Sequence, residues 1–259
     1  MDSPTSLRLS LDSSLSGETL VDTPPLSAGS SHSSNPDISS ALIYAVLTGN
    51  ISHVLDLASE EVMIKPNDTW VIYEACLQGP GMIQALAAHR GIDFDQALPG
   101  QMGDTAMHFL LKANVDQLVD KVEAARALFQ HGADPAVIDR WGNNALHIAV
   151  GLEDKSDSLA MLELLLCPRR CASESVRLLS LSHIDVRNQA TLSSRQGDTP
   201  LMIAVFKNNM ECVQLLLDNG ANPSLCGEFD LTPLSLAKAN GNTVLADLLM
   251  KRCISLAME

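Results

Sequence analysis

The sequence predicts an all-α solenoid of about six helix-turn-helix repeats with short β-hairpin fingers, preceded by a disordered N-terminal tail. A helix-start pattern at Thr199 returns at Thr232, 33 residues later, and a period of this length is typical of stacked repeats. Of the 259 residues, 46% are hydrophobic but only 3% are aromatic. Small aliphatic side chains must therefore fill the core, which suits thin layers stacked on one another.

The first element in chain order is a tail over residues 1–38, rich in Ser, Thr and Pro and acidic overall. Arg8 is its only basic residue and it has no aromatic residue. Such a segment cannot bury enough apolar surface to offset its ordering entropy, so we expect disorder. Ser3 and Thr23 each precede a proline and are possible phosphorylation sites. The alternative is a passive, solubilising tail.

The clearest repeat reads Gly-Asp-Thr-Pro-Leu-Met-Ile-Ala at 197–204, Val-Gln-Leu-Leu-Leu at 213–217 and Asn-Gly-Ala-Asn at 219–222. The threonine can cap a first helix, and Pro200 sits in its first turn, where no backbone donor is missed. The leucine run predicts a second helix. Gly220 suits the turn that ends it, because glycine tolerates a positive φ.

These residues resemble the ankyrin repeat, whose signature reads Thr-Pro-Leu-His-x-Ala with a period of about 33 residues. The resemblance covers about residues 40–253 and implies an ankyrin-repeat domain over 39–259. The last four repeats are clear and the first two degenerate. The predicted repeat starts are Ser40, Trp70, Thr105, Asn144, Thr199 and Thr232.

Three inserts depart from the family pattern. The third has extra residues around 114–120, and the fourth gains a few around 151–158. The largest insert covers about 167–196, where we expect an additional helix near Ser173–Leu181 and an extended finger loop. Inserts project from a solenoid and are frequent contact points for a partner.

The net charge of −14 bears on the choice of partner. No cluster of Lys and Arg suited to a phosphate backbone is present, which disfavours direct binding to nucleic acid. No apolar run approaches the ~20 residues of a membrane span, and no secretory signal is visible. We therefore expect a cytoplasmic or nuclear protein, monomeric by itself, whose partner is another protein with a basic or apolar patch.

No motif for catalysis or for a cofactor was found, so the sequence predicts no cofactor, no resident metal and no enzyme activity. Cys167, Cys171 and His183 offer at most three zinc ligands at unusual spacing, and plain loop cysteines explain them better. By resemblance, His108 and His147 occupy the motif histidine position, whose imidazole hydrogen-bonds backbone in a neighbouring finger. That role is structural rather than catalytic.

The resemblance also implies a binding surface, made of the finger tips and the exposed face of each first helix. Large apolar side chains recur at the predicted tips, and exposed apolar groups in a row indicate an interface. The alternative is that these side chains fold back and seal the stack. The candidate partner-binding residues are Gln101, Met102, Lys112, Arg140, Trp141, Asn143, Leu152, Arg195, Gln196, Phe206, Lys207, Glu228 and Phe229.

The predicted function is that of a non-catalytic protein-protein interaction module, acting as an adaptor, a scaffold or an inhibitory or regulatory subunit. One alternative is a nuclear cofactor that binds a transcription factor. Another, less favoured, is an enzyme or metal-binding protein that uses the 167–196 insert. A fold alone does not decide among these, because one fold serves many functions.

Overall fold

The computed structural model describes residues 38–58, 69–89, 91–97, 103–113, 120–167, 173–189, 197–227 and 230–258. The predicted tail lies outside these ranges except for its last residue, Ile38, which begins the first helix. The helices within the described residues are α1 Ile38–Leu47, α2 Ile51–Leu57, α3 Trp70–Gln78, α4 Pro80–Ala87, α5 Ala106–Lys112, α6 Lys121–Gln130, α7 Ala145–Gly151, α8 Lys155–Leu166, α9 Glu174–Ser182, α10 Pro200–Phe206, α11 Met210–Asp218, α12 Pro233–Ala239 and α13 Thr243–Ala257.

Twelve of these helices form six consecutive hairpins, as the sequence predicts. In each hairpin a first helix packs against the second helix that follows it, and equivalent helices of neighbouring hairpins also pack together. The first helices are α1, α3, α5, α7, α10 and α12, and the second helices are α2, α4, α6, α8, α11 and α13. Each hairpin therefore contacts mainly its neighbours, which is the architecture of a repeat array.

The first helices begin where the motif predicts in the last four repeats. Thr105, Asn144, Thr199 and Thr232 are the N-cap residues. In the clearest repeat, Thr199 Oγ1 accepts the N–H of Met202 at 3.3 Å, and Pro200 occupies the first helical position. This contact satisfies one of the backbone donors that every helix start leaves unpaired.

The two degenerate repeats start slightly earlier than predicted. The first helix begins at Ile38 rather than Ser40, and α3 takes Thr69 as its N-cap, one residue before Trp70. Thr69 itself has helical backbone angles and makes no side-chain cap. The side-chain cap that marks the start of the clearest repeat is therefore absent at Thr69.

The core is made of thin layers of aliphatic side chains between successive hairpins. Alanines such as Ala149 and Ala204 are fully buried where first helices pack together, and leucines of α8 and α11 fill the space between second helices. Replacing one of these leucines by alanine leaves a cavity and costs about 2–5 kcal/mol. Small residues therefore set the close spacing of the layers, and leucines supply most of the buried surface.

The three predicted inserts take different forms. The extra residues of the third repeat lie in the sequence between the end of α5 and the start of α6, and residues 114–119 are outside the described ranges. Those of the fourth repeat lengthen a helix instead of a loop, since α8 has 12 residues where α11 has 9. The large insert contains the predicted additional helix, α9, which Ser173 caps and which packs on α8.

No β-strand occurs among the residues that the structure describes. The predicted β-hairpin fingers are turns closed by backbone hydrogen bonds, such as Asp139 N–H to Asn143 O at 2.9 Å and Gly227 N–H to Leu231 O at 3.0 Å. Within the same ranges, no helix is long and apolar enough to cross a membrane.

Candidate protein-binding surface

The finger between α6 and α7 presents the first group of predicted site residues. Asp139 and Asn143 face each other across the turn, and Gly142 N–H returns to Asp139 O at 2.9 Å. The carboxylate of Asp139 is buried inside the turn, where Oδ1 accepts the N–H groups of Trp141 and Asn143, both at 2.9 Å. Arg140 and Trp141 are thereby fixed as the two tip residues.

Lys112, the last residue of α5, links this finger to the preceding one. Its Nζ donates to Asp104 Oδ1 at 2.7 Å and to Asp139 Oδ2 at 2.9 Å. It also lies 4.7 Å from the centre of the Trp141 ring, and Arg140 Cζ lies 5.6 Å from the same point. Both distances are those of cation–π contacts. Lys112 therefore positions Trp141 as well as lining the predicted surface.

The ionisation of Asp139 reflects these contacts. Burial by itself would raise the pKa of this carboxyl, but the hydrogen bond and charge of Lys112, with the Asn143 N–H, bring the net pKa below its ordinary value. The charged form of Asp139 is thus the one that the finger is built around.

The tip of this finger also contacts the next one along the chain. Gln189 N–H donates to Trp141 O at 2.6 Å, and Asn188 Nδ2 donates to Asn143 Oδ1 at 3.1 Å. Gly142, with a φ of 74°, passes so close that an added Cβ would lie 2.6 Å from Gln189 N. Glycine is required at 142 both by this close approach and by the positive φ.

The remaining predicted positions lie at the ends of two first helices. Phe206 closes α10 with 48% of its surface exposed, and Lys207 next to it donates to Glu153 Oε1 at 3.3 Å. Leu152 follows α7 and is half-buried in a cleft that Leu111, Lys112 and Ile148 also line. Together with the finger tip, these residues give the third to fifth repeats a surface of mixed apolar and charged side chains.

Comparison with known families agrees with this architecture. A family model described as ankyrin repeats in three copies matches residues 167–256, and a second, described as ankyrin repeats in many copies, matches residues 120–166. The chain belongs to the ankyrin-repeat family. The two matches begin at residue 120, so they include α6 but not the five helices before it. Those helices, α1 to α5, are seen in the structure.

The chain spans only part of the length of the relatives that it matches. An L-asparaginase of Dirofilaria immitis is 29% identical over 173 residues, which is 61% of this chain and 28% of that protein. A nuclear factor NF-kappa-B p100 subunit of Xenopus laevis is 32% identical over 95 residues, 37% of this chain and 8% of that protein. The solved ankyrin repeat domain of Bcl-3, described as a unique member of the IkappaB protein family, covers 82% of this chain and is itself covered to 85%, with 23% identity and a TM-score of 0.56. At that identity the likeness shows the fold alone.

The two motif histidines make the ankyrin hydrogen bonds that the sequence implies. His108 Nε2 lies 3.0 Å from Asn143 O, and His147 Nε2 lies 3.2 Å from Asp198 O, so each imidazole donates to the finger of the next repeat. Burial lowers the pKa of both, that of His147 to about 4. A neutral, buried donor tied to backbone is a structural element, and the prediction of this contact is confirmed.

The long finger in the large insert follows the same ankyrin pattern up to its tip. Asn188 holds the place of Asp139, because its N–H bonds to Asp198 O, its carbonyl accepts Gly197 N–H and its side chain accepts Asp198 N–H, all at 3.0 Å. Eight residues, 189–196, separate Asn188 from Gly197 in the sequence, whereas only Arg140 and Trp141 separate Asp139 from Gly142. Counting back from Thr199 therefore gives no single equivalent of Trp141 in this longer segment.

Several predicted residues cannot be placed on the ankyrin surface. They lie outside the described residues and stay predictions: Gln101, Met102, Arg195, Gln196, Glu228, Phe229, and the phosphorylation sites Ser3 and Thr23. Cys171 of the weighed zinc site also lies outside, while His183 ends α9 with Nδ1 2.9 Å from Leu179 O. Neither Asp104 nor Asp139 was predicted from the sequence. A usable signal exists for Asp104, because an acidic or amide residue follows the finger glycine there and again at Asn143 and Asp198.

Proposed function

We propose that this protein is a non-catalytic interaction module that binds another protein through the finger tips and first-helix ends of its third to fifth repeats. The observation that carries the proposal is the fixed tip at Trp141. Asp139 holds the backbone of this residue and Lys112 contacts its ring before any partner arrives. Tryptophan and arginine are the residue types that most often dominate binding energy, and preorganisation lowers the entropy cost of using them.

The exposed phenylalanine at the end of α10 supports the same surface. Phe206 has 48% of its surface exposed, and Ile203 lies one turn earlier on the same helix, half-buried. An apolar group in this position stabilises the fold less than a buried one, so its exposure favours a role in contact with a partner. The adaptor, scaffold and regulatory-subunit roles all use such a surface.

A second candidate function is that of a nuclear cofactor that binds a transcription factor. The likenesses to the Bcl-3 ankyrin domain and to a p100 subunit favour it, since these two proteins are named as members of the IkappaB and NF-kappa-B families. Location in cytoplasm or nucleus and a monomeric state remain part of this proposal. Tail phosphorylation at Ser3 and Thr23 would add close to two negative charges per site and tune the binding.

The test is capture of partners from native extract by the full chain and by a Trp141→Ala/Phe206→Ala variant, with bound proteins quantified by mass spectrometry. A Trp70→Ala/Tyr44→Ala variant is the matched control, because it removes one tryptophan and one other exposed aromatic side chain from the first two repeats. Unfolding midpoints of all three proteins are compared, so that lost binding is not lost fold.

We expect a discrete partner that the full chain and the control retain and that the Trp141→Ala/Phe206→Ala variant loses. A partner bound equally by all three proteins would move recognition to another part of the chain and contradict the proposed surface. Co-purification of DNA-bound transcription factors would select the nuclear cofactor over the cytoplasmic adaptor.

A further inference from the structure

The charges at the Trp141 tip are arranged with one sign facing outward. The side chain of Asp139 is buried and that of Asp104 is largely covered, with 0% and 14% exposed. The Lys112 side chain, by contrast, is 32% exposed, and Arg140 is exposed at the tip. The negative charges therefore point into the finger and the positive charges toward solvent. The outward-facing side chains of this tip are therefore basic, although the protein as a whole carries a net charge of −14.

Arg140 has unused binding capacity. Across the described part of the chain, no carboxylate lies within ion-pair distance of its guanidinium. The guanidinium instead makes a cation–π contact with the Trp141 ring. A guanidinium carries five N–H donors in a fork that matches a carboxylate, and stacking on an aromatic ring leaves the donors at its edge available. The tip thus offers a carboxylate site directly beside an apolar aromatic surface.

The tip is also rigid enough to select for this chemistry. Asp139 holds the backbone of Trp141, Lys112 contacts its ring and Gln189 N–H binds its carbonyl. A partner side chain that meets this surface does not need to order it first, so the binding free energy is not spent on fixing the finger.

We propose that the Arg140–Trp141 tip binds a peptide segment of the partner in which an acidic residue adjoins a large apolar one. This inference rests on the proposed function and specifies the partner chemistry at that surface. It differs from the basic partner that net charge alone predicts, because the exposed charges of this tip, rather than those of the whole protein, face the segment. A basic segment would meet the exposed guanidinium of Arg140 and be repelled.

The experiment selects short random peptides from a display library against the full chain and reads the composition of the enriched sequences. Arg140→Glu is selected in parallel, with Lys251→Glu as the matched control. Both variants change the net charge by the same amount, but Lys251 lies exposed on α13 in the last repeat. Each variant is first shown to unfold at the same midpoint as the full chain.

The full chain and Lys251→Glu should enrich peptides that place Asp or Glu beside Leu, Phe or Trp. The Arg140→Glu variant should lose this enrichment, and a synthesised winner should bind it about tenfold more weakly, the effect of losing one charge-assisted contact. Its affinity for the full chain should fall as salt is raised, since the contact is exposed. The Trp141→Ala variant should lose the apolar half of the preference.

Enrichment of basic peptides, acidic enrichment that survives Arg140→Glu, or no enriched peptide at all would each overturn the inference. None of these outcomes decides the proposed function, because the partner capture with Trp141→Ala/Phe206→Ala tests that separately. A surface that captures a partner but shows no preference for acidic peptides would keep the proposed function and discard this chemistry.

Discussion

The ammonium of Lys112 lies 2.9 Å from Asp139 Oδ2, and the other oxygen of that carboxylate holds the backbone of Trp141. One ion pair thus connects the end of a first helix to the tip residue of the following finger. The Asp139 side chain is fully buried, and among the described residues Lys112 is the cation that pairs with it, beside the N–H groups that also bind the carboxylate. The ion pair therefore fixes the geometry of the proposed binding surface and also contributes charged groups to it.

Replacing Lys112 by methionine should therefore destabilise the protein. The change leaves the buried Asp139 carboxylate without its cation, and we expect the free energy of unfolding to fall by about 2 kcal/mol. This loss is smaller than that for a fully buried pair, because the Lys112 side chain is partly exposed to water. The double variant Lys112→Met/Asp139→Asn should recover part of this loss, since no uncompensated charge remains. Urea unfolding of the four proteins of the cycle measures it, and strictly additive losses would contradict the coupling.

His147 should make stability depend on pH in a way that one variant can isolate. Its folded pKa, lowered by burial to about 4, lies below the unfolded value near 6.5, so acid protonates the unfolded chain first. The stability that the neutral imidazole contributes is present above pH 6.5 and is lost as pH falls toward 4. Between pH 7.5 and pH 5 this loss amounts to about 2 kcal/mol.

A His147→Gln variant provides the reference for this measurement. It lacks the titrating group, so the gap in unfolding free energy between the natural chain and the variant should shrink by that amount at pH 5. The two proteins share every other titrating group, so the contributions of those groups to the pH dependence cancel. Asp95 is one of them: burial raises its pKa to about 6, and its contribution to stability changes with pH in the opposite direction. A gap that stays constant from pH 7.5 to pH 5 would show that His147 is not buried in its neutral form.

The sequence predicts the repeat array well because each repeat carries its own local signals. The caps at Thr105, Asn144, Thr199 and Thr232 and the helix of the large insert are confirmed, since capping and helix formation depend on neighbouring residues. The extra turn of α8 was missed because sequence spacing counts added residues without showing whether a loop or a helix accommodates them. Helix α8 absorbs them while keeping its leucines against α6 and α11.

The candidate surface is harder to predict than the fold. Lys112 and Trp141 were selected from motif position, but their contact with each other and with Asp139 joins residues 27 and 29 positions apart, and only the stacked repeats bring them together. The inward direction of the Asp104 and Asp139 charges is likewise a property of the folded finger. Net charge, which averages over the whole chain, predicts the opposite sign at this tip.

Phe206 should contribute little to stability, in contrast to a core residue of the same helix. Phe206 is 48% exposed, whereas Leu201 is fully buried. We expect Phe206→Ala to cost less than about 1 kcal/mol and Leu201→Ala to cost about 3 kcal/mol, because only the second leaves a cavity. Chemical denaturation of the two variants checks this. A large loss for Phe206→Ala would assign that side chain to the core and weaken its place in the binding surface.

Gly142 should prove essential to the contact between the Trp141 finger and the long finger. In a Gly142→Ala variant the new methyl group would stand 2.6 Å from Gln189 N at a φ of 74°, so both steric overlap and backbone strain oppose it. Gly132→Ala is the matched control, since Gly132 has a φ of 100° but no atom within 4 Å of an added Cβ. The control should lose about 1 kcal/mol of unfolding free energy from strain alone, and Gly142→Ala should lose clearly more.

Hydrogen exchange gives a second measurement of the same contact. The Gln189 amide should exchange faster in Gly142→Ala than in the control, because its hydrogen bond to Trp141 O is broken. Equal losses and equal exchange in the two variants would mean that the two fingers move independently.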